Sequence, residues 1–225
     1  MVRPYTKRQL VLNLMILTSA CLAMYVELVG NRAIYVFLKP LTTILIVSHL
    51  FFLPTNDFRQ FKNGIIAALF FCLVGDVLLL FESYFVYGLA TFLIGHILFA
   101  ATFIKLKGFY WHWVSFLLLY GVGISLFFWL KPGLSGFMVP VAVYVAVICF
   151  MAWQGIGLFL RERSRAFLWI AVAVLLFMFS DTMIAIAKFK ADFNYSSAII
   201  LSSYWLSIGL IANAAFQIVL RGKET

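Results

Sequence analysis

Two aspartates, Asp76 and Asp181, each stand deep inside an apolar run long enough to cross a membrane, in Cys-Leu-Val-Gly-Asp-Val-Leu-Leu-Leu and Phe-Met-Phe-Ser-Asp-Thr-Met-Ile-Ala. A carboxylate at the centre of a membrane helix costs roughly 2.5 to 3.5 kcal/mol even on the lenient insertion scale, so such an acid faces a protein interior, a cavity or a partner. Two of them carry the chemistry for proton transfer, for cation binding or for an internal ion pair. Other polar residues share their half of the chain's apolar runs. Lys39 enters its run at a similar depth, Glu27 and Glu82 stand at the boundary, Tyr144 and Tyr204 lie in the same half of later runs, and His96 is near the middle of its own.

The elements that must position these groups follow from composition. With 65% hydrophobic residues, 11% charged and a mean hydropathy of +1.06, the 225 residues hold more apolar surface than a soluble core of that size buries. The charges fall in short clusters between runs of about 20 residues, the length that spans a bilayer as a helix. The chain therefore reads as one all-α transmembrane domain, a multi-pass integral membrane protein. Its spans are predicted at 10–29, 33–53, 64–81, 84–104, 111–130, 136–158, 166–187 and 197–219, with a seven-span reading if one pair merges. In this frame Asp76 is five residues and Asp181 six residues from the outer helix end, each about 8 to 9 Å deep, which places them at one level.

Charge gives the expected orientation. Twelve basic residues (Arg3, Lys7, Arg8, Arg59, Lys62, Lys105, Lys107, Arg161, Arg163, Arg165, Arg221 and Lys223) fall on one side, and four (Arg32, Lys131, Lys188 and Lys190) on the other. The positive-inside bias puts both termini in the cytoplasm. The formal charge of +9 is then an orientation signal with some attraction to anionic membrane lipids. It is not a nucleic-acid footprint, since there is no soluble basic surface. The first run is too long for a signal-peptide core and has no Ala-x-Ala site. Thr18-Ser19-Ala20-Cys21 lacks the leucine of a lipoprotein box. Cys21, Cys72 and Cys149 all fall within spans and read as packing residues. Three scattered histidines without HxxxH or ExxH spacing argue against a metal centre, and no cofactor motif is present. His49 and His112 read as interfacial or incidental.

The most specific local pattern is GDVLLLFESYFVYGLATFLIGHILFA, residues 75–100. Gly88, Phe92, His96 and Phe99 recur at helical spacing and share one face. Small glycine beside aromatic and imidazole lets helices approach closely, and this face is expected to line a cavity with Asp76. Lys39 has two readings: it binds a lipid phosphate or pairs with an aspartate, or it snorkels to the interface beside the kink expected at Pro40. Tyr144 and Tyr204 read as bundle-packing hydroxyls or as substrate contacts. Asp76 follows glycine in span three and Asp181 follows serine in span seven, a coarse echo of two four-helix halves.

The ordered set Lys39-Pro40-Leu41, the Gly-Asp and Gly/Phe/His string, Tyr144 with Met151, Phe179-Ser180-Asp181 with Ala185 and Phe189, and Tyr204 resembles the YhhN/TMEM86 membrane proteins, whose characterised animal members are lysoplasmalogenases. One departure is Ile208, where the family pattern has a glutamine. The resemblance implies a hydrolase of ether lipid metabolism acting on a lysophospholipid substrate. It would cleave the vinyl ether bond of lysoplasmenylethanolamine or lysoplasmenylcholine to a fatty aldehyde and a glycerophospho-alcohol. Vinyl ethers resist base and yield to acid, because protonating the outer alkene carbon gives an oxocarbenium ion that water attacks. The implied catalytic set is Asp76, Asp181 and His96, the two carboxyls dividing acid and base roles as in glycosidases. Asp181 is expected as the acid and Asp76, with His96 nearby, as the water-activating side; Lys39, Tyr144, Tyr204 and Glu82 would contact substrate. Two other classes compete. A proton- or cation-coupled transporter would show broken helices and access from both faces. A structural or lipid-binding protein would pair the acids with Lys39 and leave no pocket.

Overall fold

The computed structural model describes residues 7–53 and 58–221; Arg3 and Lys223 of the basic set lie outside them. Eight helices follow one another: α1 (Lys7–Leu28), α2 (Arg32–Phe51), α3 (Arg59–Leu78), α4 (Phe85–Lys107), α5 (Trp113–Leu130), α6 (Met138–Arg161), α7 (Arg165–Phe189) and α8 (Ser196–Arg221). All are long and apolar enough to cross a membrane, so the seven-span reading is set aside. The first connection is short because Gly30 adopts φ +77° and reverses the chain between α1 and α2. Asn31 then caps α2 by accepting the Ile34 N–H, and Ser164 caps α7 by accepting the Phe167 N–H.

The largest boundary difference is at α3, which begins at Arg59 rather than 64. Its first turn is polar in sequence but buried in part: Phe61 packs into the core, and the Lys62 ammonium donates to the Leu53 carbonyl at 2.9 Å. Hydropathy alone cannot register a lysine that satisfies a helix end. α2 runs through Pro40 as one helix.

The packing divides into two halves of four helices. α3 packs most extensively on α4, and α7 on α8; α2 joins α8 across the halves, as α6 joins α4. α8 is the most enclosed helix and α5 the least. With eight crossings, the described chain ends share one end of the bundle. Lys7, Arg8, Arg59, Lys62, Lys105, Lys107, Arg161, Arg163 and Arg165 gather there, while Arg32, Lys131, Lys188 and Lys190 stand at the opposite, sparsely charged end. α3 and α4 meet closely because Gly75 has no side chain: a Cβ there would sit 2.6 Å from the Phe92 ring.

Candidate active site

Asp76 is 1% exposed near the end of α3. Its Oδ2 accepts a hydrogen bond from Thr43 of α2 at 2.6 Å and another from Tyr204 of α8 at 2.8 Å. The Trp205 indole in turn donates to the Thr43 hydroxyl at 3.3 Å. Lys39, one turn before Thr43 on the same face of α2, is 8% exposed. It therefore does not snorkel, and its charge acts on Asp76 across a gap rather than in a direct ion pair. This centre is closed on all sides by α2, α3 and α8.

Asp181 of α7 is built differently. Its Oδ2 accepts from the Tyr144 hydroxyl of α6 at 2.6 Å, and His96 Nε2 of α4 stands 3.6 Å from the same oxygen, beyond hydrogen-bond reach. His96 is fully buried, and neither ring nitrogen has a hydrogen-bond partner among the described residues. Its ring lies edge-on to Phe177 at 4.6 Å and to Tyr144 at 5.4 Å. Asp181, Tyr144 and Thr182 are polar groups on the wall of a cavity of about 300 Å³ between α4, α5, α6 and α7 that is otherwise almost wholly apolar. Val86 of α4 and Val139 and Val143 of α6 line it while remaining exposed, so the cavity opens sideways onto the lipid-facing surface between those helices.

The two centres are neighbours with a partition. Phe92 and Phe177 pack against each other and against Tyr204, while Phe177 also meets His96. Three sequence expectations change here. His96 approaches Asp181, not Asp76. The face carrying Gly88, Phe92, His96 and Phe99 is buried between helices; the cavity is lined instead by the adjoining α4 stripe of Phe85, Val86, Leu89, Ala90 and Leu93. Nor are the aspartates level: through Gly75, Asp76 lies beside Thr91 and Phe92, and Asp181 lies beside His96, about 6 Å further along α4. Glu82 is at the rim, 88% exposed, and takes a hydrogen bond from Lys188 at 3.0 Å.

Sequence reasoning missed Thr43, Trp205 and Thr182. Thr43 was accessible from its spacing to Lys39. Trp205 carried no signal beyond its neighbour Tyr204. A separate polar knot was also missed: Gln9, Asn13, His49 and Asn213 bind α1, α2 and α8 at the end where the chain begins, with His49 Nε2 3.0 Å from Asn13 Oδ1. His49 is thus buried, not interfacial, and His112 caps α5 by accepting the Ser115 N–H. Among the described residues no three His, Cys, Asp or Glu side chains group to hold a metal ion.

The helix order and the order of these polar residues can be compared with known proteins. The profile of the YhhN family matches residues 34–215, which contain both centres and the whole cavity. The chain belongs to the YhhN family. Curated relatives of this YhhN protein are lysoplasmalogenase TMEM86A of Bos taurus and of Homo sapiens, each 34% identical over 164 residues. The alignment covers 68% of this chain and 65% of each relative, so the chain spans just under two thirds of their length. No solved structure matches. Ile208, at the position of the departure from the family pattern, is fully buried one turn after Tyr204.

Proposed function

We propose that this YhhN protein is a membrane-embedded hydrolase that cleaves the vinyl ether bond of lysoplasmalogens. The observation that carries the reading is Asp181 on the wall of an apolar, laterally open cavity, with Tyr144 and His96 around it. A lysolipid can enter such a slot from the membrane with its single chain still in an apolar medium, and the polar groups in it are few and convergent, as in ligand sites generally.

The chemistry follows from the geometry. Tyr144 donates to Oδ2 of Asp181 and fixes the carboxyl plane, while Oδ1 takes no hydrogen bond among the described residues. Oδ1 is therefore the atom assigned to carry the proton. Protonated Asp181 gives it to the outer alkene carbon, and the oxocarbenium ion that forms is stabilised by the carboxylate left behind. Water adds to the cation and yields its proton to that carboxylate, with His96 as the neighbouring acceptor. The hemiacetal then collapses: the carbon–oxygen bond to glycerol breaks, the glycerol oxygen takes a proton, and a fatty aldehyde leaves. Asp76 is a positioning residue here. It clamps Tyr204, which backs the Phe92 and Phe177 partition behind His96. The basic excess at the end bearing the chain termini puts that end in the cytoplasm and the cavity's sparsely charged end on the opposite face.

The test is aldehyde release from detergent-purified protein given lysoplasmenylethanolamine. Release by the native protein, lost in Asp181→Asn of unchanged melting temperature, is expected. No release from any vinyl ether lysolipid would overturn the assignment.

A further inference from the structure

Two stripes of side chains line the cavity, and each is headed by a charge. On α7, Asp181, Ala185 and Lys188 follow at four and three residues, so Lys188 lies two turns above Asp181 on one face. On the other wall, Glu82 opens the turn that leads into the α4 stripe of Phe85, Val86 and Leu89. The two meet across the mouth: the Lys188 ammonium lies 3.0 Å from Glu82 Oε1 and 5.0 Å from the centroid of Phe85, a cavity residue. Phe85 also packs edge-on to Phe189 at 6.2 Å, so the pair sits on an aromatic rim. The other lysines at this end are held elsewhere, Lys190 on Trp129 and Lys131 on Phe128.

We infer that the Glu82–Lys188 pair is a subsite for a zwitterionic phospholipid headgroup, taking its phosphate on Lys188 and its ammonium on Glu82. The inference rests on the lipid-hydrolase reading for the place of the reacting bond, and on the rim alone for the charge. The spacing fits. Seven residues of α7 separate Lys188 from Asp181, about 10 Å. Seven bonds separate the phosphorus of a 1-alkenyl lysolipid from its outer alkene carbon, about 9 Å when extended. The exchange is also neutral: a zwitterion replaces one internal ion pair by two, leaving no charge unmatched. An anionic headgroup sets its phosphate beside Glu82 with nothing for that carboxylate, and repulsion of like charges is a common source of selectivity.

Saturated 1-O-alkyl lysolipids, which have no vinyl ether to cleave, test this apart from catalysis. Their binding to the full chain in an uncharged maltoside detergent is read by native mass spectrometry, with phosphoethanolamine and phosphoglycerol headgroups in competition. The native protein is expected to favour the zwitterion by roughly fivefold, the scale of a partly exposed ion pair. Glu82→Lys should invert the preference, and Glu82→Lys with Lys188→Glu should restore it. Both positions are at the surface, so folding is not at stake. An unchanged preference in Glu82→Lys overturns the subsite even if aldehyde is released. Inversion without aldehyde release from any substrate upholds the subsite and sinks the hydrolase.

Discussion

The two aspartate centres occupy corresponding places in the two halves of the bundle and have opposite fates. Asp76 of α3 is met by α2 and α8; Asp181 of α7 is met by α6 and α4. Shifting every helix by four turns one set into the other. Each carboxyl accepts a tyrosine hydroxyl on its Oδ2, yet the first is sealed with a lysine nearby while the second faces an open apolar slot. The same residue type at the same place in the architecture thus becomes a structural anchor when neighbouring helices close over it, and a chemical group when they part. What parts them is α5, the least enclosed helix, whose Gly123, Leu126 and Leu130 give the slot its third wall.

The comparison breaks or sharpens at several points. Asp181→Asn should cost about 10³-fold in turnover with the fold intact, the scale of a lost general acid. Asp76→Asn should cost only about tenfold in turnover; a folded Asp76→Asn protein as inactive as Asp181→Asn would show that the two carboxyls work as one unit across the phenylalanine partition. In stability the order reverses. Asp76→Asn leaves Lys39 buried without a counter-charge and should destabilise by about 3 kcal/mol. Adding Lys39→Met should recover most of that loss in a thermal melt; if it does not, Lys39 is not the partner.

The tyrosines give a smaller version of the same contrast. Tyr144→Phe frees the Asp181 carboxyl and should lower kcat about tenfold with little change in melting. Tyr204→Phe should cost about 1.5 kcal/mol, a hydrogen bond to a charged group, and touch kcat less. The smallest effect is expected on the slot's wall. A Cβ at position 123 would fall 2.6 Å from Cys149 Sγ and 3.0 Å from Val145, so Gly123→Ala narrows the cavity. A roughly twofold loss of kcat/KM for bulky or branched chains, with short straight chains unaffected, would confirm that the chain passes there.

Much of this was legible in the sequence, for local reasons. Helix number, the apolar character of each span and the depth of the two acids depend only on residues close together in the chain, as does the Lys39, Thr43 spacing that marks one helix face. The ordered motifs also pointed to the right family. What failed was the choice between faces. Gly88, Phe92, His96 and Phe99 do share a stripe, but whether it lines a cavity or packs into a neighbour depends on how closely that neighbour approaches, which Gly75 on another helix decides.

The sequence by itself determined that eight apolar helices form and that two carboxyls are carried inside them, because hydropathy and helical periodicity are properties of a continuous stretch of chain. Only the tertiary structure decided which carboxyl is reachable. The partners that seal Asp76 and expose Asp181 come from positions up to 128 residues away, and Lys188 reaches Glu82 over 106. Such pairings follow from the angles and distances at which helices pack, and no single helix contains that information.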